Sequence, residues 1–268
     1  NQVADVFSSN GISVYLFSSI RPTPELSYAL IKLKCICGIV LTASHNPPEY
    51  NGYKVYWKDG GQIVPPIDKK LIDEINSVKF TDISFKRNNS LVNLIDTQID
   101  TDFIHDSISI GKIGVSKRED YRIVFTPIHG TSYKILPEVL NGAGFKNLHI
   151  VKEQAVPDGN FNTVKSPNPE EPEALSMAID LAKAVNADIV IGTDPDADRV
   201  GLAVKNNKNE YSLLNGNQMM IILTEFILSK RKNLNKSFFI GSTVVSTAMI
   251  KNIAESYNVD FKVGLTGF

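Results

Sequence analysis

The sequence predicts an α/β protein with mixed or parallel sheets, on three observations. Short β-branched and apolar runs alternate with helix-patterned segments along the whole chain. That alternation restarts near Arg122 and again near Gln218. Apolar runs such as residues 38–42 are continuous rather than alternating, as strands buried on both faces are.

Residues 12–17 form a β-branched and aromatic run, hence a strand. Thr23, Pro24 and Glu25 then read as a helix start: Thr as N-cap, Pro at the first helical position, an acid in the first turn. Leu26, Ala29, Leu30 and Leu33 follow at helical spacing, and residues 38–42 are the next strand. The three elements predict a βαβ unit. Ser44 falls just past the carboxyl end of its second strand, the edge where open α/β sheets bind ligands.

Residues 54–57 and 62–64 flank Asp59-Gly60-Gly61, which predicts a hairpin. Residues 67–78 have amphipathic helical spacing. A polar stretch, 86–90, precedes a helix over 95–110 that would bridge two domains. The second restart gives a strand at 122–126, a helix at 131–140, a break at Gly142-Ala143-Gly144 and a strand at 148–151. Residues 154–172 hold four prolines and little periodicity, so they predict a loop, with Pro172 opening a helix to 186. Strands at 189–192 and 200–204 enclose an acidic loop. The third restart gives helix 218–230, strand 238–241, helix 247–257 and strand 261–263.

The 268 residues are 43% hydrophobic and 21% charged, enough for a substantial core. A formal net charge of -1 offers no basic excess for nucleic acid or an anionic membrane surface. No apolar stretch reaches the roughly 20 residues of a membrane span, and residues 1–10 carry no basic-then-apolar leader. Cys35 and Cys37 sit in an apolar run and are expected as a buried thiol pair; a lone Cys-x-Cys is too little for zinc. A reduced, cytoplasmic setting is expected. The chain begins without Met inside a helical pattern and stops just after a strand, so a fragment is expected.

Two loops carry chemistry. Thr42-Ala43-Ser44-His45-Asn46-Pro47 offers an exposed serine beside a histidine, a candidate nucleophile outside any Gly-x-Ser-x-Gly frame; the alternative is a plain turn. Gly192-Thr193-Asp194-Pro195-Asp196-Ala197-Asp198-Arg199 spaces three carboxylates two apart, a pattern that can converge on one hard cation. It is no EF-hand, since the sixth and twelfth positions are Arg199 and Lys205. The alternative is a solvated acidic turn with Asp194 as its cap. Taken together, a divalent ion on the aspartates would leave positions for a phosphate oxygen, and Ser44 could carry that phosphate. Arg199 and His45 could stabilise the charge on the transferring group, and Lys54 could act as general acid or base.

Residues 42–47 with Asn51-Gly52-Tyr53-Lys54, and residues 194–199, closely resemble the α-D-phosphohexomutase superfamily. Arg21-Pro22-Thr23-Pro24-Glu25-Leu26, Thr126-Pro127-Ile128-His129-Gly130 and Leu265-Thr266-Gly267-Phe268 resemble its further motifs, so the likeness spans nearly the whole chain. Residues 51–57 and 167–171 resemble the phosphoglucomutase/phosphopentomutase branch.

The resemblance implies repeated phosphohexomutase-type domains, mixed sheets sandwiched by helices, incomplete at both ends. It divides them into the C-terminal part of domain I at 1–113, domain II at 114–213 and the N-terminal part of domain III at 214–268. It implies a phosphoserine at Ser44, Mg2+ on Asp194, Asp196, Asp198 and a Ser44 phosphate oxygen, and phosphate or substrate contacts from His45, Lys54, Arg199 and Thr266. The implied reaction interconverts sugar 1-phosphate and 6-phosphate, glucose first, through a bisphosphate, with a sugar 1,6-bisphosphate as activator.

Phosphopentomutase, phosphomannomutase and glucose 1,6-bisphosphate synthase are alternatives within the family. A metal-dependent phosphatase or a non-catalytic sugar-phosphate binder stands outside it. The implied partner is a small sugar phosphate, not nucleic acid or membrane, in a monomer or homodimer. The family's arginine loop ahead of Asn1, its Gly-Glu-Glu specificity loop and its fourth domain are absent here, so these 268 residues alone are expected not to isomerise glucose 1-phosphate. His129 is expected to hold loop packing, and His105 and His149 to lie at the surface or the edge of the core.

Overall fold

The computed structural model describes residues 1–111 and 117–266. It divides into two compact units: residues 1–43 with 51–107, and residues 44–50 with 108–111 and 117–266. The expected domain boundary at 113/114 lies outside the described residues.

The first unit runs α1 (Gln2–Ser9), β1 (Val14–Leu16), α2 (Thr23–Lys32), β2 (Cys37–Leu41), β3 (Tyr53–Trp57), α3 (Ile67–Ser77), β4 (Val92–Leu94) and α4 (Thr97–Gly111), whose last residues count with the second unit. β1 pairs in parallel with β4, Val14 opposite Val92. β2 pairs antiparallel with β3, Cys37 opposite Trp57 and Leu41 opposite Tyr53. The expected βαβ unit is therefore corrected: α2 leads from one two-stranded sheet to another. The partner of β1 is β4, three residues that follow a polar stretch and give too short an apolar signal to read.

The hairpin after β3 is reduced to a turn and a Tyr56–Gln62 bridge. Trp57 N–H donates to Gly61 O at 2.8 Å, and Pro65 and Pro66, with no N–H, end the second arm. α2 begins one residue early, so Thr23 is its first helical residue and Pro22 its cap.

The buried thiol pair is also corrected, since Cys37 is exposed and Cys35 half-buried. Leu26 and Leu30 of α2 press onto β2 where a Gly38 side chain would stand. Cys37, one residue away, points to the opposite and open face. Arg21, just ahead of α2, binds Asp100 of α4 through Nε at 2.8 Å and Nη2 at 2.9 Å, and reaches Asp96 at 3.3 Å. Glu25 is fully buried beside them, 3.9 Å from Arg21 Nε. Burial first, then the Asp100 carboxylate, push its carboxyl up to about 8.

The second unit contains β5 (Arg122–Thr126), α5 (Ile135–Gly142), β6 (Asn147–Ile150), α6 (Ser176–Val185), β7 (Ile189–Thr193), β8 (Val200–Lys205) and β9 (Tyr211–Leu214). Its sheet has the order β6-β5-β7-β8-β9, parallel through β7 and antiparallel beyond. Ala178 and Ala182, one helical turn apart on α6, are fully buried with Val124, Val190 and Ala203. Such small side chains let the helix approach the sheet closely. α7 (Gly216–Lys230), β10 (Phe239–Thr243), α8 (Met249–Ser256) and β11 (Asp260–Gly264) follow. β10 and β11 pair in parallel, and Leu228, Ala254 and Val259 make their core. Asn215 and Gln218 close a reciprocal capping box on α7.

Two expected helices change. Residues 131–133 form a 3-10 turn ahead of α5, because Thr131 is bonded to Pro195 O. α6 starts at Ser176, four residues after Pro172. Ala174 and Leu175 are instead buried against Ile128, so tertiary packing overrides the proline start signal.

Candidate functional site

The chain leaves β5 towards β6 on one side and returns through α6 to β7 on the other, so the crevice between β5 and β7 opens at their carboxyl ends. Two stretches leave the sheet there: residues 127–130 after β5 and the acidic loop 194–199 after β7.

Asp194 is fully buried, Asp196 nearly so, and Asp198 exposed. Each offers a carboxylate oxygen, and these lie within 4.8 Å of one another. Ala197 takes a left-handed conformation at φ 57. Ala197 N–H donates to Asp194 O at 3.0 Å, and Arg199 N–H donates to Asp194 Oδ1 at 3.0 Å, so Asp194 does cap the loop. Burial first, then the Asp196 carboxylate, push the Asp194 carboxyl up to about 8. Three acids packed this closely hold a proton at neutral pH unless a cation replaces it. That donor set, oxygen only and compact, fits a hard divalent ion.

Ser44 stands in the left-handed region at φ 55, an uncommon state for a residue with a side chain. Its hydroxyl donates to Asp194 Oδ2 at 3.2 Å. His45 Nδ1 lies 3.4 Å from Ser44 Oγ, and Arg199 Nη1 lies 3.5 Å from His45 Nε2. The guanidinium only donates, so Nε2 accepts and the ring proton sits on Nδ1, facing Ser44. Burial first, and the Arg199 charge next, lower the His45 pKa and keep the imidazole neutral. The carboxylates of Asp196, Asp198 and, from the proline-rich stretch, Glu171 oppose that shift. Tyr50 N–H donates to Pro47 O at 3.0 Å and closes the turn after the serine.

The structure thus gathers Ser44, His45, Asp194, Asp196, Asp198 and Arg199 in one unit. Lys54 belongs to the other unit, on β3 opposite Val40. Thr266 lies just past β11 and is exposed; Gly267 and Phe268 of its motif lie outside the described residues. His129 is buried with both ring nitrogens bonded, as expected of a packing residue, and His105 is exposed. The sequence marked residues 167–171 only as a resemblance to one branch and gave Glu171 no place beside His45.

Three models of one family match in chain order: phosphoglucomutase/phosphomannomutase alpha/beta/alpha domain I over residues 1–82, domain II over 101–208 and domain III over 215–268. The chain belongs to the phosphoglucomutase/phosphomannomutase family. The phosphoglucomutases of Staphylococcus aureus strains USA300 and MRSA252 are 37% identical to it over 270 residues, 99% of this chain and 48% of theirs. The chain thus spans about half the length of the curated relatives it matches.

A phosphoglucomutase/phosphomannomutase family protein from Burkholderia thailandensis superposes with a TM-score of 0.76 at 21% identity, over 99% of this chain and 54% of that one. An Aspergillus fumigatus N-acetylphosphoglucosamine mutase, solved with glucose 1,6-bisphosphate, gives 0.51 at 15% identity, over 99% and 66%. Both likenesses are of fold. Ser44 falls within the domain I match and residues 194–199 within the domain II match. No helix among the described residues is long and apolar enough to cross a membrane.

Proposed function

We propose that this chain supplies the phosphoserine and metal-binding part of a sugar-phosphate mutase that interconverts glucose 1-phosphate and glucose 6-phosphate. The observation that carries the reading is the Ser44 hydroxyl donating to Asp194 inside a compact cluster of three carboxylates. Glucose is the proposed sugar because the curated relatives at 37% identity are named phosphoglucomutases.

In the proposed reaction Ser44 carries a phosphoryl group. The P–Oγ bond breaks as a P–O bond forms to a sugar hydroxyl, whose proton passes to Lys54. The resulting bisphosphate turns over in the site; its other sugar P–O bond breaks as the P–Oγ bond to Ser44 re-forms, and the freed sugar oxygen takes the proton back from Lys54. His45 offers its Nδ1 proton to the serine oxygen as charge develops there. Arg199 faces the charge spread over the transferring group. Asp194, Asp196 and Asp198 would hold Mg2+, which would neutralise phosphate charge. Thr266 is a proposed substrate contact. A bisphosphate lost to solvent would leave Ser44 bare, so a sugar 1,6-bisphosphate is the proposed activator.

The division 1–113, 114–213 and 214–268 remains our proposed domain organisation, in a cytoplasmic monomer or homodimer. Intact-mass measurement of the full-length protein tests the central claim. A species about 80 Da heavier, one phosphate, is expected and should vanish in Ser44→Ala. Its persistence in that variant would remove Ser44 from the reaction.

A further inference from the structure

Besides the hydrogen bonds that Asp194 makes within it, the acidic loop is held from outside. Pro195, between Asp194 and Asp196, has no N–H, and its carbonyl is gripped from outside the loop. Thr131 N–H donates to Pro195 O at 2.7 Å and Thr131 Oγ1 donates to the same oxygen at 3.0 Å. The next residue, Ser132, shares a 2.6 Å hydrogen bond with Thr193 Oγ1. Asp194 is therefore held at both neighbours by the turn that follows β5. Gly130 lets that turn come close, since a Cβ there would overlap the Pro195 backbone.

The turn itself is strained. Ile128 and His129 are consecutive non-glycine residues in the left-handed region, at φ 44 and φ 59. A β-branched residue there is unfavourable and persists only when its surroundings impose it. A closed polar circuit does so. His129 N–H donates to Gln154 O at 2.9 Å, and His129 O accepts from Asp158 N–H at 3.1 Å. On the ring, Nδ1–H donates to Val156 O at 3.1 Å, so Nε2 accepts from the Thr163 hydroxyl at 2.8 Å. Thr163 Oγ1 accepts from Gln154 Nε2 at 3.0 Å, and Gln154 Oε1 accepts from the Thr126 hydroxyl at 2.6 Å. Thr126 Oγ1 in turn accepts from Ile128 N–H at 3.1 Å. Gln154 and Thr126 are fully buried. Every proton in the circuit has one consistent place, so the turn has one geometry.

We infer that Gln154, Thr163 and His129, acting through Thr131, are positioning residues for the cation site: they set the Pro195 carbonyl and with it the spacing of Asp194 and Asp196. The inference rests on the proposed Mg2+ role of the aspartates. It assigns a purpose to the aperiodic stretch around residues 154–163, which touches no proposed reacting atom. Supports one step behind a metal's ligands commonly alter its affinity 10- to 100-fold.

The test is calorimetric titration of the full-length protein with Mg2+ alone, alongside melting temperature. Thr163→Val opens the circuit and Thr131→Val removes one bond to Pro195. Each should raise the Mg2+ Kd about tenfold, while Thr163→Ser and Thr131→Ser should restore it. Tyr211→Phe, which loses the hydroxyl's contacts with Ala182 O at 2.9 Å and Ala187 O at 2.5 Å away from the loop, should lower the melting temperature and leave the Kd alone. Unchanged affinity in both valine variants, with Asp196→Asn still weakening binding, overturns the brace alone. An equal shift in Tyr211→Phe also overturns it, since it would mark a general stability effect. If Asp196→Asn itself leaves Mg2+ affinity unchanged, the metal reading fails and the brace falls with it. Should Thr163→Val not fold, Thr131→Val decides alone.

Discussion

Ser44 and Asp194, 150 positions apart in the chain, share a 3.2 Å hydrogen bond in which the serine hydroxyl donates to Oδ2. The other oxygen of the same carboxyl accepts from Arg199 N–H at 3.0 Å. Asp194 therefore ties the proposed phosphate carrier to the loop whose acids would hold the metal.

That position makes Asp194 costly in the absence of a cation. Its carboxyl, buried against Asp196, is pushed up to about 8, so above that pH the metal-free chain buries an unneutralised charge. Asp194→Asn should therefore melt no lower than the parent at pH 9 in EDTA. Adding Mg2+ should raise the parent's melting temperature and leave the variant's unchanged. Thermal melts with and without Mg2+ check this, and an equal Mg2+ response in both proteins would contradict it.

Glu25 in the first unit gives a second pH dependence. Its folded pKa of about 8 stands above the ordinary 4.5, so the folded state holds a proton there that the unfolded state releases. The Glu25 contribution is fully present below pH 4.5 and is lost as pH rises towards 8. Glu25→Gln should flatten the decline of stability across that window, measured by denaturant unfolding at several pH values. An unaltered slope would show that Glu25 ionises normally.

Lys54 is the proposed proton acceptor. Lys54→Met in the full-length protein should lower kcat about 100-fold or more, the usual scale of lost acid–base catalysis. The phosphoserine mass should remain. Full turnover would refute the role, and loss of the heavier species would move Lys54 to the priming step.

A backbone contact beside the acidic loop can be tested without touching chemistry. A Cβ at Gly201 would overlap the Pro169 carbonyl. Gly201→Ala should destabilise the protein by roughly 1–3 kcal/mol, as overpacking does. Chemical denaturation measures it, and a neutral result would mean that the 167–171 stretch yields freely.

The site was readable where its chemistry is local. The two-residue spacing of Asp194, Asp196 and Asp198 and the adjacency of Ser44 and His45 are properties of short stretches, and both stretches sit where a strand ends. The repeated alternation of strands and helices likewise revealed the α/β class. What escaped depends on distant partners. β4 and β9 are three and four residues long and hold only through their neighbours. The apolar run around Cys37 predicts burial, but α2 covers the other face of β2 at Gly38. The role of Gln154 is invisible in sequence because every partner of its side chain lies at least nine positions away.

Gly192 and Gly201 stand opposite each other on the rung that joins β7 to β8. Facing residues of an antiparallel pair share one side of the sheet. Leu175 fills the space above Gly192 and Pro169 the space above Gly201, so one chain segment covers both. One segment thus roofs both strands that flank the acidic loop, so a substitution at Pro169 or Leu175 would be felt on both sides of that loop.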